Sequence, residues 1–270
     1  VSTGACPAGP TSDKEYPVKW IRKWTPRLIR IEEHWFEIKP VSAGADIVRL
    51  FNVYSPVDGF SNQESHTRLI DLTRDEDVIF GDMHKNTRYE IKRADQESVE
   101  FEVFDENVLS VLAEFGRDYA SLQSSKGLEA MRMDRLEALQ AKGSLVVTVA
   151  TTGSPALRSW HVYVRGADRV RLLYSVSAFR DLGDKSVQAQ AARANRWHHW
   201  MDLKHWKSKA VAFYDFGGEY IGTEDRQKMG ISTFKRNFGG DLAPTYSGVR
   251  AVTAKGRLAL ALRQVVSGRN

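Results

Sequence analysis

The sequence holds a single cysteine, Cys6, among 270 residues. One thiol excludes an internal disulfide framework and a zinc site built on several cysteines. Long hydrophobic runs are missing as well. None approaches the roughly 18 apolar residues needed to cross a bilayer, so no membrane span is expected. The opening stretch VSTGACPAGPTSDKEYP lacks the apolar central region of a secretory signal, and Cys6 has no leucine-led lipidation context. The expectation is a cytoplasmic protein with a loose tail over residues 1–26. There is no long block of charge of one sign, no internal repeat and no low-complexity tract. With 8 prolines in the whole chain, no Pro-rich linker divides it.

What is present points to a folded core. Hydrophobic residues make up 42% and aromatics 10%, enough to bury a sizeable interior. The net charge of +5 suits an RNA or phosphate-bearing partner, and suits many ordinary enzymes equally well.

Periodicity predicts strands over residues 28–38, 46–54, 66–72 and 99–104. A helix is expected over 75–94, with Thr73 available as its cap. Two more helices follow over 107–123 and 128–142. Three strand patterns over 145–151, 157–164 and 170–176, joined by Gly-containing turns, predict an antiparallel meander. A long helix over 187–207, a buried strand beginning at Val211, a strand over 244–249 and a helix over 252–266 complete the chain. This order predicts an α+β fold with a central mixed, mostly antiparallel sheet flanked by helices. Residues 27–270 read as one domain, with 27–105 also readable as an incomplete N-terminal lobe.

The stretch 209–240, KAVAFYDFGGEYIGTEDRQKMGISTFKRNFGG, is the one most suited to chemistry. A short aromatic strand ends at Asp215 and the pair Gly217–Gly218. A polar loop then leads to two cations between two phenylalanines and a second glycine pair. Polar loops pinned at strand ends commonly carry function.

Four pieces in sequence resemble one family. Residues 86–94, NTRYEIKRA, are similar to the R-Y-x-I-(K/R)-R-A helix of the Fem-type aminoacyltransferases and the BioF2-like acetyltransferases. The helix from Ala191 through Trp206 resembles the long helix that precedes their Y-D-F-G-G strand end, here Tyr214 to Gly218. Phe234-Lys235 with Phe238-Gly239 resembles their closing F-K-x-x-F-G. The likeness spans roughly residues 84 to 246. It implies the N-acetyltransferase (GNAT) sheet-and-helix fold and the transfer of an acyl or aminoacyl group to an amine.

Under that resemblance Lys235 is the residue that stabilises the donor end and the developing oxyanion. Unaided by it, Lys235 and Arg236 read as solvated cations at a helix end. Asp215 is a candidate for accepting the ammonium proton through water, or for capping the turn that follows it. Tyr214 alternates with Asp215 across the strand, so only one of the two faces a pocket. Phe234, Arg236 and Tyr214 are candidate substrate contacts. Arg88, Lys92 and Arg93 suit a phosphate-bearing acceptor or an RNA backbone, or else form a solvated basic face. Arg180-x-x-Gly183 is half of the pyrophosphate loop of coenzyme A users. Lys185 stands where a small residue belongs, and Asp181 and Asp184 would repel phosphate. Arg180 and Gly183 are therefore cofactor contacts only if acyl-CoA is the donor.

His198, Asp202 and His205 share a helix face by spacing, which fits packing and capping better than metal, and no metal or tightly bound cofactor is expected. Three functions remain open: aminoacyl transfer from aminoacyl-tRNA to a small-molecule, peptide or cell-wall-type amine; N-acyl transfer from acyl-CoA or acyl carrier protein to an amino sugar or amino acid; and a non-catalytic RNA-binding module of the same fold.

Overall fold

The computed structural model describes residues 18–24, 29–38, 44–126, 130–153, 157–177 and 183–267. Among them are ten strands and seven helices: β1 (Val18–Trp24), β2 (Ile29–Trp35), β3 (Ile47–Val53), β4 (Ser61–Asp71), α1 (Glu76–Asp82), α2 (Lys85–Ala94), β5 (Glu100–Phe104), α3 (Leu109–Lys126), α4 (Met133–Gln140), β6 (Leu145–Thr152), β7 (Leu157–Arg165), β8 (Arg169–Ser177), α5 (Lys185–Ser208), β9 (Phe213–Gly218), α6 (Arg226–Arg236), β10 (Asp241–Ala251) and α7 (Ala254–Ser267). The strands form one sheet in the order β1-β2-β3-β10-β4-β9-β8-β7-β6-β5. Among the described residues only β2–β3 and β8–β9 pair in parallel. The fold is α+β with a mixed, mostly antiparallel sheet. β1 lies within the stretch read from the sequence as a tail, and its pairing with β2 makes it the sheet's first strand.

The sheet is covered on both faces, which explains the near-continuous apolar run of β6. Val146 and Ala150 face a core completed by α2 and α5, with Ile91, Trp197, Leu203 and Trp206. Leu145, Val147 and Val149 face the opposite core under α3 and α4, with Leu112, Phe115 and Leu136. Along α5 the buried residues Ala191, Ala194, Asn195, His198, Asp202 and Trp206 recur at helical spacing, so the helix lays one stripe on the sheet.

Three elements differ from expectation. The helix predicted over 75–94 is two helices, broken at Met83 and His84 in extended conformation. Arg88 donates to the carbonyls of Gly81 and Met83, both at 2.5 Å, and so satisfies the orphan end of α1. The polar loop before Lys235 is largely helix α6, capped by Asp225, whose carboxylate accepts from the amides of Gln227 and Lys228 at 3.0 Å. The last strand is longer than its apolar pattern and runs between β3 and β4. Pro244 pairs with His66 ahead of the first β3 pair, Tyr246 with Val53, where β10 has a neighbour on one side alone.

Candidate functional site

β8 and β9 run side by side for only three residue pairs, ending at Arg171 with Asp215. Beyond that point β8 stays with β7, while β9 continues along β4 to the pair Thr67–Gly218. The sheet opens there into a wedge, and a cavity of about 400 Å³ fills it. Leu172 and Ser175 line one wall, Gly217 and Gly218 the other, and Trp35 and Lys235 close it from β2 and α6.

Gly217 has φ +79, the left-handed region that glycine adopts without strain. A Cβ at this position would lie 3.1 Å from the Leu172 carbonyl oxygen, and 3.9 Å from both Arg171 Nη2 and Lys235 Nζ. Two cations therefore converge on the Gly217 backbone. Lys235 Nζ donates to the Gly218 carbonyl at 2.6 Å, which fixes the ammonium and leaves its other protons for a ligand. Burial, helped by the neighbouring Arg171 charge, lowers the lysine to about 8 against the opposing pull of Asp215 and Glu219.

Asp215 is fully buried. Its carboxylate accepts from the Thr67 hydroxyl, from Arg171 Nη1 at 2.9 Å and from the Gly217 amide at 2.7 Å. Those bonds aim Arg171 into the wedge and hold the glycine turn, and they keep the carboxylate behind Arg171. Tyr214 points to the other face of the sheet. It is fully buried, and its hydroxyl bonds to Tyr163 at 2.8 Å and to His199 at 3.1 Å, so it does not reach the cavity.

Arg171 and Arg169 are the cations that sequence reasoning missed. They stand two apart on β8 and therefore share a face, a signal that was legible as charge in an otherwise apolar strand. Arg169 is 1% exposed. Its guanidinium lies 3.1 Å from the Tyr54 ring centre and 5.2 Å from that of Phe36, and donates to the Asn52 carbonyl at 3.4 Å. Burial lowers it to about 9, so it stays charged at neutral pH. Asn52 itself lines the wedge. Two cations line the wedge, Arg171 and Lys235, with Arg169 buried against the Asn52 carbonyl, which makes the wedge a place for a group that carries or gains negative charge.

The other candidates lie apart from this cavity. Phe234 packs on His199 and Phe238, with Arg196 over its ring. Arg236 reaches Glu219 at 3.4 Å and the Thr233 hydroxyl at 2.9 Å. Arg88 is spent on the α1 carbonyls, Lys92 is exposed beside Phe80, and Arg93 is exposed at 3.6 Å from Glu97. Arg180 lies outside the described residues, and Gly183 is exposed. At the start of α5 the Asp184 carboxylate accepts from the Ser186 amide at 2.7 Å.

The histidines of α5 sit in the core. His161 of β7 stacks between His198 and His199, with ring centres 3.8 and 4.0 Å apart. Asp202 accepts from Thr148 at 2.7 Å and from the Tyr163 hydroxyl at 2.6 Å, and bonds His161 Nδ1 at 2.6 Å. Burial, then the neighbouring imidazoles, hold His198 and His199 well below the ordinary histidine range, so both are neutral. His205 is turned aside towards Phe101. His161, His199 and Asp202 bring ligand atoms within 4.8 Å of one another. Imidazole lone pairs lie in the ring plane, however, and stacked rings direct them side by side rather than onto one ion. The arrangement is a hydrogen-bonded core stack.

No protein-family model matches the chain, and no curated protein matches it. Solved structures do. The crystal structure of FemX superposes with a TM-score of 0.62 at 11% identity, over 84% of this chain and 83% of that one. The C-terminal domain of an Agrobacterium fabrum protein assigned as a lysylphosphatidylglycerol synthetase superposes with a TM-score of 0.53 at 12% identity, over 93% and 88%. The wedged sheet, its helices and the closing α6–β10 segment share the fold of FemX and of that C-terminal domain.

Proposed function

We propose that the chain is an N-acyltransferase that moves an aminoacyl group from aminoacyl-tRNA to the amine of a small-molecule, peptide or cell-wall-type acceptor, in the cytoplasm where charged tRNA is available. The observation that carries this reading is the convergence of Lys235 Nζ and Arg171 Nη2 on Gly217 inside the wedge. Attack of an amine on an ester carbonyl moves a full negative charge onto the carbonyl oxygen. Donors already aimed at that position stabilise it without reorganising. Lys235 is tied to the Gly218 carbonyl and Arg171 to Asp215, so neither cation has to find its place during the reaction.

The start of α5 favours tRNA over coenzyme A as donor. A pyrophosphate binds helix-start amides, and here a carboxylate, Asp184, already occupies the Ser186 amide and would repel it. An aminoacyl ester needs no such cradle. The exposed cations Lys92 and Arg93 suit an RNA backbone, although they lie away from the wedge.

A donor screen tests the reading, with a charged tRNA pool against acetyl-CoA and mass detection of amide products. Amide is expected from the tRNA arm, and ribonuclease treatment should abolish it. Amide from acetyl-CoA that survives ribonuclease would move the donor to a thioester. No amide in either arm, with tRNA binding intact, would leave a non-catalytic RNA-binding module.

A further inference from the structure

A second cavity, of about 600 Å³, adjoins the wedge on the other side of Gly218. Ser65, Gly218 and Ile231 line both cavities, so the two meet at the end of β9. Their linings differ in character. The wedge carries Arg171 and Lys235, whereas the second cavity is walled by Glu64, His66, Glu219, Tyr220 and Lys228.

Most polar groups in that wall are committed. Glu219 binds Arg68 through both carboxylate oxygens, at 2.7 and 2.9 Å, and also meets Arg236. The Ser232 hydroxyl accepts from the Tyr220 amide at 2.9 Å. Lys228 pairs with Asp225 at 3.1 Å. The remaining proton acceptors of the wall are His66 and Glu64, which stand on one face of β4 because they are two residues apart. His66 Nε2 lies 3.8 Å from Glu64 Oε1, and the Tyr246 hydroxyl donates to Glu64 Oε2 at 3.1 Å, holding the carboxylate beside the ring. The imidazole keeps 27% of its surface open.

The backbone ties this pair to the wedge. Thr67, next to His66, is the register partner of Gly218. The Gly218 carbonyl takes the Lys235 bond, and the His66 carbonyl accepts from the Glu219 amide at 2.7 Å. His66 and Lys235 thus line two cavities that meet at Gly218.

We infer that the second cavity is the subsite for the acceptor amine and that His66, held by Glu64, is the base of the transfer; this rests on the acyltransferase reading above. An amine enters as an ammonium ion, for which a wall containing Glu64 is favourable, and must lose a proton before its lone pair can attack. His66 takes that proton. The nitrogen then forms its bond to the acyl carbon while the carbonyl oxygen, negative in the intermediate, rests against Lys235 and Arg171. Collapse breaks the bond to the ester oxygen, which leaves with the electron pair and takes up the proton held by His66, so that the released carrier bears a hydroxyl and the base is regenerated. The second proton lost by nitrogen passes to water.

The test uses the full chain with methylamine as acceptor probe and both donors of the screen. His66→Ala should fold with an unchanged melting temperature, because the ring is partly exposed, and should lose about 100-fold or more in kcat. Added imidazole should restore its rate, since the truncation leaves room for a free base in an open cavity. His66→Gln, which refills that room, should be as slow and should not respond. Glu64→Gln should fall in the same direction by less. Full activity of His66→Ala, or a loss that imidazole does not repair at unchanged stability, would overturn the base role while the wild-type rate upheld the transferase reading. Wild-type protein that makes no amide from either donor would sink both.

Discussion

Lys235 is poised by two opposing demands. In the proposed transfer it must be charged to hold an oxyanion, yet burial and the Arg171 charge lower it to about 8. Its proton is therefore lost as pH rises through about 8, and the stabilising charge goes with it. The profile of kcat/KM against pH should show an alkaline limb there. Lys235→Arg, charged throughout, should lose that limb, and Lys235→Ala should cost on the order of 100-fold or more with normal folding. An unchanged limb in the arginine variant would assign it to another group. Arg169 poses the converse question, because it is a buried cation that touches aromatic rings and one carbonyl, with the Asp215 charge opposing its desolvation. Desolvating a charge costs several kcal/mol, and apolar replacements of buried ions are often neutral or stabilising. Arg169→Met is expected to keep or raise the urea midpoint. A clear fall would mean that the stack on Tyr54 and the Asn52 bond outweigh desolvation.

At the scale of elements, the histidine stack joins α5 to the sheet. Thr148 of β6, Ser159 and His161 of β7, and Tyr214 of β9 all bond its members. His198 and His199 bind protons less readily folded than unfolded. The unfolded state therefore takes up more protons below about pH 6.5, and stability present above that value drains away as pH falls. The slope should approach roughly 1.4 kcal/mol per pH unit for each histidine. The carboxylates with lowered values, Asp46, Asp184 and Asp225, act only below about pH 4. Urea unfolding at a series of values from about pH 7.5 to 5, which brackets the ordinary histidine range, would show this, and a flat response would mean that the stack takes up protons without loss.

These elements also show what was legible in the sequence. The meander and α5 were readable because burial on both faces gives strands near-continuous apolar runs, while burial of one face imposes period 3.6 on a helix. α6 was not, since much of its surface is polar and Gly230 interrupts it, although Asp225 as its cap was a readable sign. The break between α1 and α2 depends on Arg88 reaching back to carbonyls, a tertiary bond that leaves no periodic mark. Lys235 was found through a family likeness. Arg171 was found only when strand pairing set it against Asp215, because register across a sheet is not written in either strand alone.

At the scale of the whole molecule, the position of β10 decides how the chain divides. Its pairs with β3 join Val48 to Arg250, and its pairs with β4 join His66 to Pro244. Among the described residues β3 joins the larger part of the sheet through β10, which stands between it and β4. The first three strands therefore depend on a strand far along the chain from them, and such distant pairings form late and slowly. The wedge depends on them too, for Trp35 and Asn52 reach it from β2 and from β3. A chain ending at residue 240 would keep Lys235, Arg171 and Asp215 but would lose the strand that joins the two parts. It is expected to show no cooperative unfolding transition by calorimetry and no amide formation. Should that chain unfold cooperatively with the wedge cations intact, the residues from β4 to α6 would fold as a unit, and the strands before them would be a separable lobe docked through β10.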